Sequence, residues 1–286
     1  MSAATTEQRR FATLLAPATV IVVAGLVLPL LLMARYSLNR FEPGQFMVEA
    51  LTFGNYVKII SDPYYRRIAV TTVTMAFTAT AICLVVGFPV ASAIARAPAR
   101  WKTALLLLVI LPLFVGNAVR AAGWMVALGQ KGLLNWILLR LGIVSEPAAF
   151  MYTWGAVCAG IVSVNLPYVV LTLQSVLEGT EKSAVDAAQS LGATPFTTWR
   201  LVTLPLAMPG VVAAGLLSFI LAMNAYATPV LLGGPTFQMM APSVADQVLQ
   251  QSNWPLGAAL AFTLTAITLI LTATVSFTLA RTHAGA

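Results

Sequence analysis

Charged residues punctuate this chain only at wide intervals. No Asp, Glu, Lys or Arg falls between Arg10 and Arg35, Arg67 and Arg96, Lys102 and Arg120, Glu146 and Glu178, Arg200 and Asp246, or Asp246 and Arg281. About 20 consecutive apolar residues let a helix cross the hydrocarbon core of a bilayer. Backbone groups in lipid must find partners within their own segment, so runs of this kind are helices. The pattern predicts six spans near 11–35, 68–95, 102–129, 148–177, 207–232 and 255–280. Pro17, Pro29, Pro89, Pro112 and Pro167 fall inside them, as membrane helices tolerate. The first run is longer than the 7–15 residues of a signal-peptide core and ends in no small-x-small cleavage site, so it reads as a retained helix.

Composition agrees with the pattern. Of the 286 residues 59% are apolar and 9% charged, against about 25% charged in an average soluble domain. That excludes an ordinary soluble enzyme, a disordered regulator and a disulfide scaffold. Cys83 and Cys158 each sit in a long apolar run with no second Cys or His at ligand spacing, and read as small hydrophobes. The net charge of +7 suggests no nucleic acid, because the basic residues lie at the ends of apolar runs, where they orient a membrane protein.

Orientation is finely balanced. With the N-terminus inside, the 16 basic residues divide evenly between the two faces. The short 96–101 loop holds Arg96 and Arg100 with Lys102 at its edge, whereas 233–254 holds no basic residue, which favours cytoplasmic N- and C-termini. Residues 36–67, 130–147 and 233–254 then face outward, and 96–101 and 178–206 face the cytoplasm. The chain divides into 1–64 (tail, first helix and outer loop) and 65–286, the transmembrane domain proper. It has no Walker-type loop, no GxGxxG and no HExxH. The one histidine is His283, at the tail, and no acidic residue lies inside a span, so no catalytic or metal constellation can be assembled.

The 178–206 segment is the least ordinary part. Ser183 with Asp186 reads as a capping box. Ala184, Ala187, Ala188 and Leu191 follow helical spacing as one small-residue face. Gly192 supplies a helix stop. Thr194-Pro195 starts a second short helix, N-cap then Pro at the first helical position, running through Trp199 and Val202 to end near Leu204-Pro205. Such a helix-turn-helix suits insertion into a partner's groove; an amphipathic connector resting on headgroups fits the same pattern.

The residues themselves carry a resemblance. Asp186-Ala187-Ala188, three residues, Gly192, nine residues, Val202-x-Leu204-Pro205 resembles the EAA signature of ABC importer permeases at every spacing, with Asp186 in place of Glu and Val202 in place of Ile. Pro229-Val230-Leu231-Leu232-Gly233-Gly234, Asn253-Trp254-Pro255-x-Gly257-Ala258-Ala259, and the stretch from Leu111-Pro112 to Arg120 and Trp124 are similar to spermidine/putrescine-type permeases, especially their first, B-type subunit. The resemblance implies an all-α, six-helix type I ABC importer permease of a bacterial inner membrane. It implies two copies of a cytoplasmic ATPase, a second homologous permease subunit and a periplasmic solute-binding protein as partners. ATP and Mg would be used by the ATPase, and no cofactor would be bound by this chain. Asp186, Ala187 and Ala188 would then contact the ATPase, Gly192 would set the bend, and Val202, Leu204 and Pro205 would join the lever to the fifth span.

Arg120 is the one charge well inside a predicted span, where it either faces a cavity or snorkels outward. Asn117, Asn165, Asn224 and Tyr226 either line a path or bond between helices. Without intramembrane acids, a tightly held polycation would need carboxylates from the partner subunit or aromatic faces from this one; a zwitterionic, opine-like or anionic solute is the alternative. The same absence argues against an ion-coupled secondary transporter. A membrane scaffold coupled to an ATPase would have a sealed core. Ser243, Asp246 and Gln247, on a short helix of the 233–254 loop, would meet the binding protein or plug the outer vestibule.

Overall fold

The computed structural model describes residues 3–179, 182–235 and 237–284, without the side chains of 3–14, Ala18, 182–183 and 278–284. It falls into two units. One comprises the chain up to Asp62 with Val244–Thr263; the other comprises Pro63–Ser243 and the segment from Leu264 on.

The first unit opens with α1 (Ala3–Ser37), apolar enough to cross a bilayer and exposed along its span. The segment after it holds strands as well as helix. Strands β1 (Arg40–Glu42) and β2 (Phe46–Val48) pair antiparallel, Arg40 opposite Val48, round a turn with Gly44 at φ +95°. Next comes α2 (Gly54–Ser61). Asn55 Nδ2 donates to the carbonyls of Ser37 and Asn39 at 2.8 and 2.9 Å, Tyr56 donates its hydroxyl to Ser37 Oγ, and Arg35 donates to Ala50 O and Asn39 Oδ1. These bonds tie the end of α1 to the segment that follows it, which spacing alone does not reveal.

In the second unit α3 (Pro63–Arg96) is the longest helix. The third predicted span is a broken one: α4 (Ala99–Ile110), a 3-10 turn at Leu111–Phe114, α5 (Asn117–Leu128) and α6 (Leu133–Arg140), with a bend of 95° at the break. Pro112 lies in that turn, where its missing N–H and fixed φ favour a tighter helix. Residues placed in the 130–147 loop thus include a helix. Among the described residues five helices can cross a membrane, and the bent pair makes the sixth.

The chain continues through α7 (Trp154–Gly179), α8 (Lys182–Ser190) and α9 (Pro195–Thr198). A π-type turn at Trp199–Thr203 leads into α10 (Leu204–Met223). Then follow α11 (Ala227–Gly233), α12 (Met240–Ala245), a π turn at Asp246–Gln250, and α13 (Trp254–Ala284). The fifth span does not run unbroken to 232, because Asn224, Ala225 and Tyr226 separate α10 from α11.

Three helices form the core of this unit. Cys83, Phe88, Ala91 and Ile94 of α3 meet Val169, Val170 and Leu173 of α7 and Ala207 and Ala214 of α10. Both cysteines are buried and free. Small residues set the spacing, as expected where lipid supplies no hydrophobic drive between helices. A Cβ at Gly87 would lie 2.9 Å from Val169, and one at Gly210 would lie 2.8 Å from Val176. Back in the first unit, Asn253 Oδ1 accepts from Leu256 N and caps α13, and a Cβ on Gly257 would lie 2.4 Å from Val248. That accounts physically for the Asn-Trp-Pro-x-Gly stretch.

Candidate functional site

The 178–206 segment folds as a hook. Gly192 sits at φ +84°. Its N–H donates to Gln189 O at 2.9 Å and that of Ala193 to Ala188 O at 3.1 Å, the paired bonds of a Schellman stop. Nothing lies within 4 Å of a Cβ built on Gly192, so its backbone angle alone demands glycine. Thr194 Oγ1 accepts from Thr197 N at 3.3 Å and Pro195 takes the first helical position, as the sequence signals predict.

Two expectations need correction. The first short helix is described from Lys182, which puts Ser183 inside it rather than at its cap; the Ser183 side chain lies outside the described residues. The second does not end at Leu204-Pro205. It continues through the π turn into α10, so Pro195–Met223 is one continuous helical rod. Pro205 has no N–H to donate one turn back, and the wider turn just before it, with Leu204 N donating to Trp199 O, accommodates that loss.

The hook exposes Asp186, Ala187 and Pro205, while Ala188, Val202 and Leu204 are half-buried. Leu191 belongs to no packed face, being 88% exposed. Sequence reasoning passed over the residue that holds the hook. Trp199 stacks on Phe196 at 5.8 Å and meets Phe88 of α3 edge-on at 5.9 Å. Lys102 of α4 pairs with Glu178 at the end of α7, and Gln174 Nε2 donates to the same carboxylate at 2.5 Å. An aromatic seven residues beyond a helix stop was the available signal for Trp199; nothing local marked Lys102.

The second candidate region lies where helices break. Asn117, at the start of α5, shares a cavity of about 280 Å³ with Asn165 of α7, Asn224 and Tyr226 between α10 and α11, and Thr228. Asn165 is buried and its Nδ2 donates to Ser218 O at 3.0 Å, an interhelical bond. Asn224 Nδ2 donates to Ile220 O at 2.9 Å, closing the end of α10. Tyr226 is exposed.

Arg120 is not among the residues lining this cavity. Its guanidinium donates to Pro112 O at 2.7 Å, Val115 O at 3.0 Å and Ser163 O at 3.3 Å. Val115 lies at the break, so Arg120 satisfies a carbonyl that the interrupted helix leaves free, and it adds a second donor to Pro112 O, which already accepts from Val115 N. One turn on, Trp124 Nε1 donates to Ser163 Oγ at 2.9 Å. Arg120 and Trp124 thus pin α5 to α7. Asn135 does similar work beyond α5: buried, it donates to Gly129 O and Ala148 O and accepts from Ala148 N at 2.9–3.1 Å. In the 233–254 segment Ser243 is buried and donates to Met239 O, Gln247 is buried, and Asp246 accepts from Gln251.

Comparison with known proteins places this arrangement. Residues 50–282 match the family model described as binding-protein-dependent transport system inner membrane component. The spermidine/putrescine transport system permease protein PotB of Escherichia coli K12 is 34% identical over 246 residues, covering 86% of this chain and 89% of that protein. The inner membrane ABC transporter permease protein YdcU of the same strain is 31% identical over 263 residues, covering 87% and 82%. Among solved structures, a chain of a bacterial ABC transporter that imports the acidic polysaccharide alginate superposes with a TM-score of 0.76 over 96% of both chains, at 15% identity. That transporter in complex with its alginate-bound periplasmic protein gives 0.77, over 94% and 93%. The fold is that of a type I ABC importer permease. The chain belongs to the binding-protein-dependent transport system inner membrane components, and is a multi-pass transport subunit of the inner membrane.

Proposed function

We propose that this chain is a translocation subunit of an ATP-driven importer for spermidine, putrescine or a related small nitrogenous solute. The observation that carries the reading is the hook: two short helices joined by a positive-φ glycine stop and continuous with a membrane-spanning rod. A partner that moves the hook moves α10 with it. The solute class rests on the name of the 34%-identical relative.

In this reading a cytoplasmic ATPase grips Asp186, Ala187 and Ala188, with one ATPase copy on this chain and a second on a homologous permease subunit. ATP and Mg act in those ATPases. A periplasmic binding protein delivers the solute, and both termini of this chain lie in the cytoplasm. ATP binding biases a two-state bundle because the gripped loops fit one state better than the other. Gly192 keeps the bend, and Val202, Leu204 and Pro205 transmit it into α10. Asn165, Asn224 and Tyr226 border the path, with Arg120 holding the broken helix beside it.

A second reading has its own support. The polar side chains at the cavity are three amides, a phenol and the Thr228 hydroxyl, with no carboxylate among its lining residues. That chemistry suits a zwitterionic or opine-like solute as well as an amine. The test is uptake of labelled spermidine into right-side-out vesicles holding the whole transporter, with ATP and Mg trapped inside and the binding protein outside. Uptake blocked by excess putrescine but not by amino acids supports the polyamine; the reverse supports the second reading. Loss of ATPase co-purification on Asp186→Lys supports the hook as the docking element, and full retention overturns it.

A further inference from the structure

We infer that the chain carries a binding site for one anionic phospholipid, wedged between α3 and the hook. It is independent of the solute transported. A cavity of about 740 Å³ runs along one stripe of α3, from Leu84 and Phe88 through Ser92 to Arg96. Twelve residues of helix rise about 18 Å. One leaflet of the hydrocarbon core is about 15 Å deep. The stripe therefore extends from mid-membrane to the headgroup level.

Its chemistry changes along that length as a phospholipid's does. The deep end is apolar, with Leu84, Phe88, Trp199 and Val211. In the middle, the hydroxyls of Ser92 and Thr198 are buried and without a hydrogen-bond partner among the described residues. Thr198 is 3% exposed. Ser92 and Thr198 make this stretch of wall more polar than the deep end, at the level between the apolar residues and Arg96 where a glycerolipid carries its ester groups. The far end reaches Arg96, which has no ion-pair partner among the described residues. It borders a second cavity of about 460 Å³, where Glu178 is neutralised by Lys102 and Thr203 holds another unpartnered buried hydroxyl; Asp186 also borders it. A phosphate complements Arg96, and a neutral or cationic amphiphile does not.

The flank of α3 is left uncovered by the rest of this chain, since Val85 on the same stripe is 74% exposed and Pro89 and Ala93 are exposed, so an acyl chain can enter from the side. Because Gln189, Pro195, Thr198 and Trp199 form the opposite wall, a lipid seated here touches both arms of the hook.

The test uses the full-length chain in phosphatidylcholine vesicles with a rising fraction of phosphatidylglycerol brominated on its acyl chains. Quenching due to Trp199 is the difference between the unaltered chain and Trp199→Phe. Half-maximal quenching is expected at a mole fraction about fivefold lower for brominated phosphatidylglycerol than for brominated phosphatidylcholine, the preference one basic residue confers near a surface. Arg96→Gln is expected to erase that preference, and Arg100→Gln, outside the cavity, to keep it. Equal quenching by both lipids, or a preference that survives Arg96→Gln, overturns the site. Absence of any Trp199 quenching also overturns it and assigns the cavity to protein.

Discussion

The hook and the broken third span both interrupt helices, and they do it by opposite means. The hook is built from local instructions: a positive-φ glycine stop, a threonine cap and a proline at the first helical position. Each acts within about one turn of its own residue. The broken span is held from a distance. Arg120 reaches across the break to Pro112 and Val115 and over to Ser163, and Asn135 gathers groups at Gly129 and Ala148. An exposed element can leave its free carbonyls to water, whereas one at membrane depth cannot. The difference follows from the solvent each region faces.

The largest effect is expected at the staple. Arg120→Leu leaves the carbonyls of Val115 and Ser163 without their donor, at roughly 1–3 kcal/mol each where burial is complete, while Pro112 O keeps the Val115 N–H. The yield of folded chain and the Tm in mild detergent should both fall sharply. An unchanged Tm would show that the break is held by packing instead. Asn135→Ala comes next, at about 2 kcal/mol for buried polar groups left unpaired, read as a lower Tm with hook-dependent ATPase capture intact in the surviving protein.

Smaller effects on stability should appear in the hook, with a larger effect on function. Gly192→Val forces a β-branched residue into the left-handed region, at about 1–2 kcal/mol. A hook that straightens instead leaves the Tm nearly unchanged while uptake falls at least tenfold; unaltered uptake would sink the lever reading. Gly192→Asn, which tolerates that region better, should retain most transport. The smallest change is Thr194→Ala, which removes one cap at about 0.5–1 kcal/mol and should reduce uptake less than twofold. If Thr194→Ala lowered Tm more than Arg120→Leu, the contrast between local and distant support would be wrong.

Legibility follows the same division. Gly192, Thr194 and Pro195 were readable because each encodes its own backbone geometry. The end of the second short helix was misplaced because Leu204-Pro205 looks like a stop, while the π turn at Trp199–Thr203 lets the helix pass through the proline. The third span read as one helix because an uncharged run shows length but not direction, and the 95° bend leaves no gap in hydrophobicity. Asn117, Asn165, Asn224 and Tyr226 were visible together as polar residues that either line a path or bond between helices; which of them bond and which only border the cavity was not.

The sequence by itself determined that the chain crosses the membrane repeatedly, roughly where its spans lie, and how its exposed hook turns. These depend on transfer of contiguous segments into lipid and on torsion angles of single residues, both local quantities. Only the tertiary structure decided that Arg120 serves backbone carbonyls, that Trp199 locks the hook on Phe88, and that α3 and the hook border an open-sided cavity running from Leu84 to Arg96. Each depends on groups distant in sequence meeting in space, and a carbonyl's need for a donor arises only once a helix has broken and a neighbour has packed beside it.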